Sequence, residues 1–353
     1  MKKTLLAAAL LAGFASAAQA QSSVTLYGLV DVGYVYTKTD GLNSLNELAS
    51  GNQSGSRWGL QGAEDLGGGL KATFLLESGF DQGTGTSLQG GRLFGRQSWA
   101  GLSGGFGDVR FGRQVTITSE FFGAVDPFGA GFNVANLGNV FVASDTVRTD
   151  NTLKYISPNF GGFQAGINYS AQNNGSESVV STANNRLAGA AVRYSNGPLL
   201  IAGSYDTVNY GAPGVDSAKI WQLGAVYDFG VAKIHAAFAD QKNVGAALLT
   251  TGVPAGIAGA GFENTKAYML GVTVPVGNGS LFGSYKRASD WDVDGWSVGY
   301  TYDLSKRTNL YTYASVVDNV NATGANTLAV SRGNVVGGDV TTKQFGVGLR
   351  HKF

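Results

Sequence analysis

Apolar and polar residues alternate with a period of two along most of the chain. In the last such segment Phe345, Val347, Leu349, His351 and Phe353 share one face, and Gly346, Gly348, Arg350 and Lys352 share the other. Trp296, Val298, Tyr300 and Tyr302 alternate in the same way with Gly295, Ser297, Gly299, Thr301 and Asp303. Leu70, Ala72, Phe74 and Leu76 alternate with Lys71, Thr73 and Glu77, with Leu75 breaking the polar side. Successive side chains of a strand point to opposite faces, so this period predicts β-structure. Sixteen segments read as strands: 24–37, 56–63, 70–78, 96–103, 108–114, 151–157, 163–171, 187–195, 199–206, 218–228, 231–240, 265–275, 280–288, 295–303, 309–317 and 343–353. Almost nothing reads at helical period, and segment 309–317 sorts too loosely to fix its register.

The connections sort by length. Seven are tight: 64–69, 104–107, 158–162, 196–198, 229–230, 276–279 and 304–307, where glycine and Asn-Gly supply the positive φ of short hairpins. Eight are mostly long and polar: 38–55, 79–95, 115–150, 172–186, 207–217, 241–264, 289–294 and 318–342. Strict alternation puts every short turn at one end of the sheet, with both termini, and every long loop at the other. That is the layout of an all-β, antiparallel, 16-stranded transmembrane barrel with periplasmic turns and extracellular loops. A soluble meander has no reason to sort its loops this way, and no helices are available to cover sixteen strands' worth of apolar face.

Composition fits. Met1-Lys2-Lys3, an apolar run from Thr4 to Phe14 and Ala18-Gln19-Ala20 read as an export signal over residues 1–20, cleaved after Ala20. The remaining 333 residues, 21–353, form the barrel and carry 23 basic and 24 acidic side chains, a balance that gives no support to nucleic-acid binding. Cysteine is absent and only His235 and His351 are present, so thiolate chemistry, disulfides and Cys- or His-based metal centres are not expected, nor is a cofactor. Neither histidine sits in a nucleophile arrangement, which argues against an enzyme. No apolar run beyond the signal is long enough for a spanning helix, but membrane strands place only every second side chain in lipid. Tyrosine and phenylalanine cluster near strand ends, including Tyr27, Tyr34, Tyr36, Phe106, Tyr194, Tyr227, Phe229 and Tyr302, as interfacial girdles require.

A barrel of this width with polar or glycine inward positions should hold water, so something must narrow it. The 36-residue connection 115–150 is the candidate. It carries Glu120 and Asp126, a rigid Asp126-Pro127-Phe128, and enough apolar residues to fold against protein. Opposing charge is expected from inward arginines. Outward Trp58 and Leu60 place Arg57 inward, outward Trp99 places Arg96 inward, and outward Leu153 and Tyr155 place Arg148 inward, with Arg110 and Lys71 as further members. Such a basic wall raises local anion concentration without binding a solute tightly. Passive diffusion of small hydrophilic solutes and ions is the leading function. A substrate-specific channel for small acidic solutes or sugars is the nearest alternative, and an enzyme, a surface adhesin or a soluble carbohydrate binder are further classes.

The segments Val24-Thr25-Leu26-Tyr27-Gly28-Leu29-Val30-Asp31, Ser56-Arg57-Trp58-Gly59-Leu60, Glu64-Asp65-Leu66-Gly67-Gly68-Gly69-Leu70-Lys71-Ala72, and Gly101-Leu102-Ser103-Gly104-Gly105-Phe106-Gly107 leading to Phe111-Gly112-Arg113-Gln114 resemble the general porins of Gram-negative bacteria, betaproteobacterial type. Asp126-Pro127-Phe128 and the terminal Phe353 fit as well. The resemblance spans the chain beyond the signal. It implies a homotrimer of 16-stranded barrels whose third extracellular loop folds inward, and anion preference from wall arginines facing acidic or backbone groups of that loop. Arg57, Arg96 and Arg148 resemble those arginines, Glu120 and Asp126 fall in the constriction loop, and Phe353 resembles the signal read by the outer-membrane assembly machinery. Outer-membrane lipid and lipopolysaccharide are the surroundings this implies.

Overall fold

The computed structural model describes residues 23–141, 143, 148–180, 184–211, 213–244, 263–319 and 340–353. The expected export segment 1–20 lies outside these. Strands follow one another as β1 (Ser23–Thr39), β2 (Leu45–Ser50), β3 (Arg57–Gly67), β4 (Leu70–Gly79), β5 (Gln97–Gly104), β6 (Gly107–Val115), β7 (Arg148–Ile156), β8 (Phe163–Ser170), β9 (Arg186–Asn196), β10 (Leu199–Asn209), β11 (Ala218–Asp228), β12 (Lys233–Val244), β13 (Glu263–Val276), β14 (Gly279–Ala288), β15 (Val293–Asp303), β16 (Thr308–Asn319) and β17 (Val340–Lys352). One short helix, α1 (Ile117–Phe122), lies between β6 and β7.

Each strand pairs antiparallel with its neighbours, and β1 closes the ring against β17 from Leu29↔Lys352 to Thr39↔Thr342. On its other edge β1 meets two partners: β2 over Val32–Thr37 and β3 over Ser23–Leu29. β2 and β3 are therefore halves of one stave, and seventeen segments build a sixteen-stave barrel without a free edge. Only Val30 and Asp31 of β1 face the break between the halves. There Gly51 N–H bonds Asp31 O, Ser54 N–H bonds Asp31 Oδ2 at 2.6 Å, and Ser56 Oγ accepts from Asp31 N–H. The alternation pattern missed β2 because its flanking glycines and mixed Leu-Asn-Glu-Leu-Ala-Ser sequence read as part of a loop. The remaining segments lie where the period put them, and 218–228 matches to the residue.

Hairpins with positive φ at Gly67, Gly68, Gly69 and Gly197 mark the short-turn end. Exposed apolar side chains occupy one face of the sheet, with Leu223, Leu270, Val298 and Ile167 in the middle and aromatic residues near both ends. Trp221 and Tyr268 belong to the long-connection end, and Tyr227, Phe229 and Tyr194 to the other. Two girdles flanking an aliphatic band suit two interfaces flanking hydrocarbon. Tyr27 departs from the expected girdle: its hydroxyl donates to Glu77 on the opposite, polar face.

Segment 116–141 packs on that polar face. Thr116 caps α1, accepting from Ser119 N–H at 3.2 Å, and short 3-10 turns follow. The helix escaped sequence reading because six residues are too few to display a period. Phe122, Val125, Val134, Leu137, Val140 and Phe141 are buried against small and aliphatic residues of β10 to β15, among them Val208, Ile220, Ala239, Met269 and Val293. A second cluster joins Phe128 and Phe132 to Phe282, Tyr311 and Tyr313. The expectation of a lumen wall bearing only polar groups and glycine is thus corrected on these staves. Glycines Gly166, Gly224 and Gly271 provide the clearance, since a Cβ there would stand 2.5, 2.6 and 2.8 Å from Ile117, Val125 and Pro127.

Candidate functional site

Arg57 opens β3, Arg96 precedes β5 and Arg148 opens β7. The structure brings all three together around Glu77, near the end of β4. Arg96 Nε donates to Glu77 Oε1 at 2.8 Å, Arg57 Nη1 stands 3.9 Å from Oε2, and Tyr27 donates to Oε2 at 2.9 Å. Buried Arg148 lies within electrostatic reach of Arg96, Glu77, Arg57 and Arg113. A second acid, Asp150, holds Arg113 at 2.6 Å and Arg92 at 2.9 Å. Among the described residues, five arginines and two carboxylates leave an excess of positive charge on one sector of the polar face.

Trp99 does not face lipid as expected, so strand alternation does not carry the inward placement of Arg96. Trp99 pairs with Gly112, two positions from the Arg110↔Gly101 pair, and the Arg110 guanidinium lies 4.6 Å from the Trp99 ring centroid. Trp99 therefore shares the polar face with Arg110, while Leu102 and Phe111 are exposed on the other. An indole over a guanidinium is a stable lumen arrangement, so an aromatic residue alone does not mark the lipid side.

Arg110 belongs to a separate cluster. It pairs with Asp108 at 2.6 Å and with Glu120 of α1 at 3.4 Å, and Glu120 also accepts from Lys154 at 2.5 Å. Burial pushes the Glu120 carboxyl up, but the Lys154 ammonium and Arg110 guanidinium outweigh it and hold the group below the ordinary glutamate value of 4.5. The stability this pairing lends α1 is complete above that ordinary value and is lost as pH falls through the lower, folded-state value. Channel noise should therefore rise in the wild type as pH falls below the ordinary glutamate value, and at every pH in Glu120→Gln. A Glu120→Gln channel as quiet as the wild type at neutral pH would contradict this role.

Asp126 is not a charge facing the arginines. Its carboxylate accepts from Phe128 N–H at 2.9 Å, Ala130 N–H at 3.0 Å and Leu137 N–H at 3.0 Å, folding the segment on itself. Burial pushes this carboxyl up, and the three donors and Lys286 pull it part of the way back. Lys71 also stands apart. It is exposed beside the Gly67–Gly69 turn, opposite Asp65 and Ser103, about 20 Å along β4 from Glu77.

The anchors that hold segment 116–141 were not singled out from the sequence. Lys286 of β14, fully buried, donates to Val134 O at 2.7 Å and to Asn136 O. Gln241 donates to Val140 O at 2.7 Å, His235 Nδ1 to Val125 O at 2.9 Å, Thr118 to Asp206, and Asn168 Oδ1 accepts from Ile117 N–H at 2.9 Å. At the break in the second stave, Phe132 N–H bonds Asn52 O, and Asn133 bridges Asn52 and Tyr313. Glu77 could have been found, because it lies on the polar side of a strand whose alternation only Leu75 breaks. Lys286 had no such signal, since its partners are backbone carbonyls some 150 residues away.

Known proteins resemble this chain along its whole length. A family model described as Gram-negative porin matches residues 7–322. An outer membrane porin protein of Bordetella pertussis is 44% identical and outer membrane porin protein 32 of Delftia acidovorans 36%, each comparison covering 100% of both chains. Among solved structures, an anion-selective porin from Comamonas acidovorans superposes with a TM-score of 0.78 at 33% identity, covering 94% of this chain and 100% of that one. A trimer form of OmpT from Vibrio cholerae shares the fold alone, with a TM-score of 0.62 at 16% identity over 94% and 99% of the two chains. With a family model covering most of its length and relatives this similar end to end, the chain belongs to the Gram-negative porin family.

Proposed function

We propose that this outer-membrane barrel is a general diffusion porin that passes small hydrophilic solutes and ions and prefers anions. The observation that carries the reading is the arginine excess around Glu77 and Asp150 on the polar face. In a water-filled passage such a charge raises anion concentration locally, whatever the near-neutral total. The name of the Comamonas acidovorans relative points the same way. Segment 115–150 acts as the inward-folded constriction: one segment whose partners lie on β8, β10, β12, β14, β16 and the break in the second stave is reached from all of them only through the interior. Single-channel recording under a salt gradient tests the function. Absence of discrete channels, or a cation-selective reversal potential, would refute it.

The same reading includes export through residues 1–20, removal of that segment after Ala20, and the absence of catalysis. It also includes threefold self-association through outward faces, because a ring closed at β1–β17 offers no edge for strand addition. Lipopolysaccharide and the assembly machinery are the further partners. Phe353 supports the last of these: it is 48% exposed at the short-turn end and exchanges backbone hydrogen bonds with Gly28, where a Cβ would stand 2.4 Å from its ring. Phe353→Asp should lower outer-membrane levels severalfold while leaving the melting behaviour of protein already folded nearly unchanged. Equal membrane levels of the two proteins at limited expression would remove Phe353 from this role.

A further inference from the structure

On the outward face of β11 to β13, at the long-connection end, side chains change from aromatic to cationic within one step of alternation. Trp221, Phe238 and Tyr268 form a row of rings with centroids 5.1 Å apart at both steps. Lys219 and Lys266 stand two residues beyond Trp221 and Tyr268, and Lys242 stands directly opposite Lys219 across the β11–β12 ladder. All three lysines are exposed.

Among the described residues their compensation is incomplete. Asp240 is paired opposite both Trp221 and Lys266, and its Oδ2 lies 3.9 Å from Lys242 Nζ, the outer limit of an ion pair. Asp290 spends one carboxylate oxygen on the Lys266 backbone N–H and the Ser289 hydroxyl. Arg287 on the next stave is engaged by Asp292 and Asp294. Like charges directly opposite in an antiparallel pair repel, so the Lys219↔Lys242 pair disfavours the sheet unless an anion lies between them. At the short-turn end of the same staves the arrangement differs: Lys233 has its own carboxylate, Asp228, at 3.1 Å.

We propose that Lys219, Lys242 and Lys266 hold the phosphate groups of an outer-leaflet glycolipid whose acyl chains lie along Trp221, Phe238 and Tyr268. The inference rests on the reading that places long connections outside the cell, and not on the selectivity of the pore. Aromatic girdles sit at headgroup level, so the step beyond them is the depth of headgroup phosphates. Neighbouring strands are about 4.8 Å apart, which lets two or three ammonium groups converge on one phosphate. A lipid is favoured over a free anion because the ring row continues the contact from charged group to hydrocarbon without a gap.

The test titrates lipopolysaccharide into detergent-purified wild-type protein, Lys219→Gln/Lys242→Gln/Lys266→Gln, Lys242→Gln and Lys233→Gln. Each is checked for heat-modifiable gel mobility and single-channel conductance, neither of which should change. Affinity should fall about fivefold in Lys242→Gln and by about twentyfold or more in the triple variant. It should hold in Lys233→Gln and fall in the wild type when the lipid is enzymatically dephosphorylated. Equal affinity in wild type and triple variant, an equal loss in Lys233→Gln, or displacement of the lipid by millimolar inorganic phosphate would each overturn the proposal.

Discussion

Replacing Arg57 and Arg96 together by glutamine is expected to lower the anion-to-cation permeability ratio about tenfold at low salt. A unit charge about 12 Å from an ion in water contributes about 0.35 kcal/mol, which raises anions and lowers cations by about 1.8-fold each, or about threefold in their ratio. The double variant removes two such charges. It also leaves Glu77, which is buried and pairs with both arginines, with Tyr27 and the charge of Arg148. Adding Glu77→Gln restores one unit of positive balance, so the triple variant should recover to about a threefold loss. Reversal potentials across a tenfold salt gradient measure all three proteins. Screening over about 10 Å at 0.1 M should bring them together as salt rises. Identical potentials in the wild type and the double variant would exclude these arginines as the source of selectivity.

This comparison depends on Glu77, and its case separates what sequence alone carries from what it does not. Strand alternation is a local property with period two, so it located nearly every stave and predicted the inward side for Arg57 without knowledge of any partner. It was weakest where the backbone departs from the ladder. The break at 51–56 hid β2, and a register shift between Gly112 and Gln114 precedes Arg148. Side-chain chemistry was a less dependable guide to facing than period. Trp99 and Tyr27 are aromatic yet sit on the polar face, each paired with a charged group. The charges of segment 115–150 were legible as charges but not in their use. Glu120 binds the wall beside it, and Asp126 binds its own backbone, because a buried carboxylate is stable only where donors converge on it. Contacts between positions as distant as Lys286 and Val134 leave no periodic trace and emerge only when the ring closes.

Asp126→Ala should open the channel more than any lumen charge reversal does. The substitution strands the N–H groups of Phe128, Ala130 and Leu137, at about 1–3 kcal/mol for each buried donor left without an acceptor. A loss of that size exceeds what a surface excursion can absorb, yet the barrel ladders do not depend on it, so the barrel should remain folded and heat-modifiable in gels. Single-channel conductance should rise, current noise should increase, and protease should cut within 116–141. Lys286→Met removes the donor to Val134 and Asn136 from the opposite side of the same turn. If both residues stabilise one folded arrangement of the segment, the double variant should conduct little more than Asp126→Ala alone, because once that arrangement is lost the second anchor has nothing left to hold. Additive increases would mean that the two anchors govern separate parts of the segment. Unchanged conductance in Asp126→Ala, with cleavage showing that the segment has moved, would mean that 116–141 does not set the width of the pore.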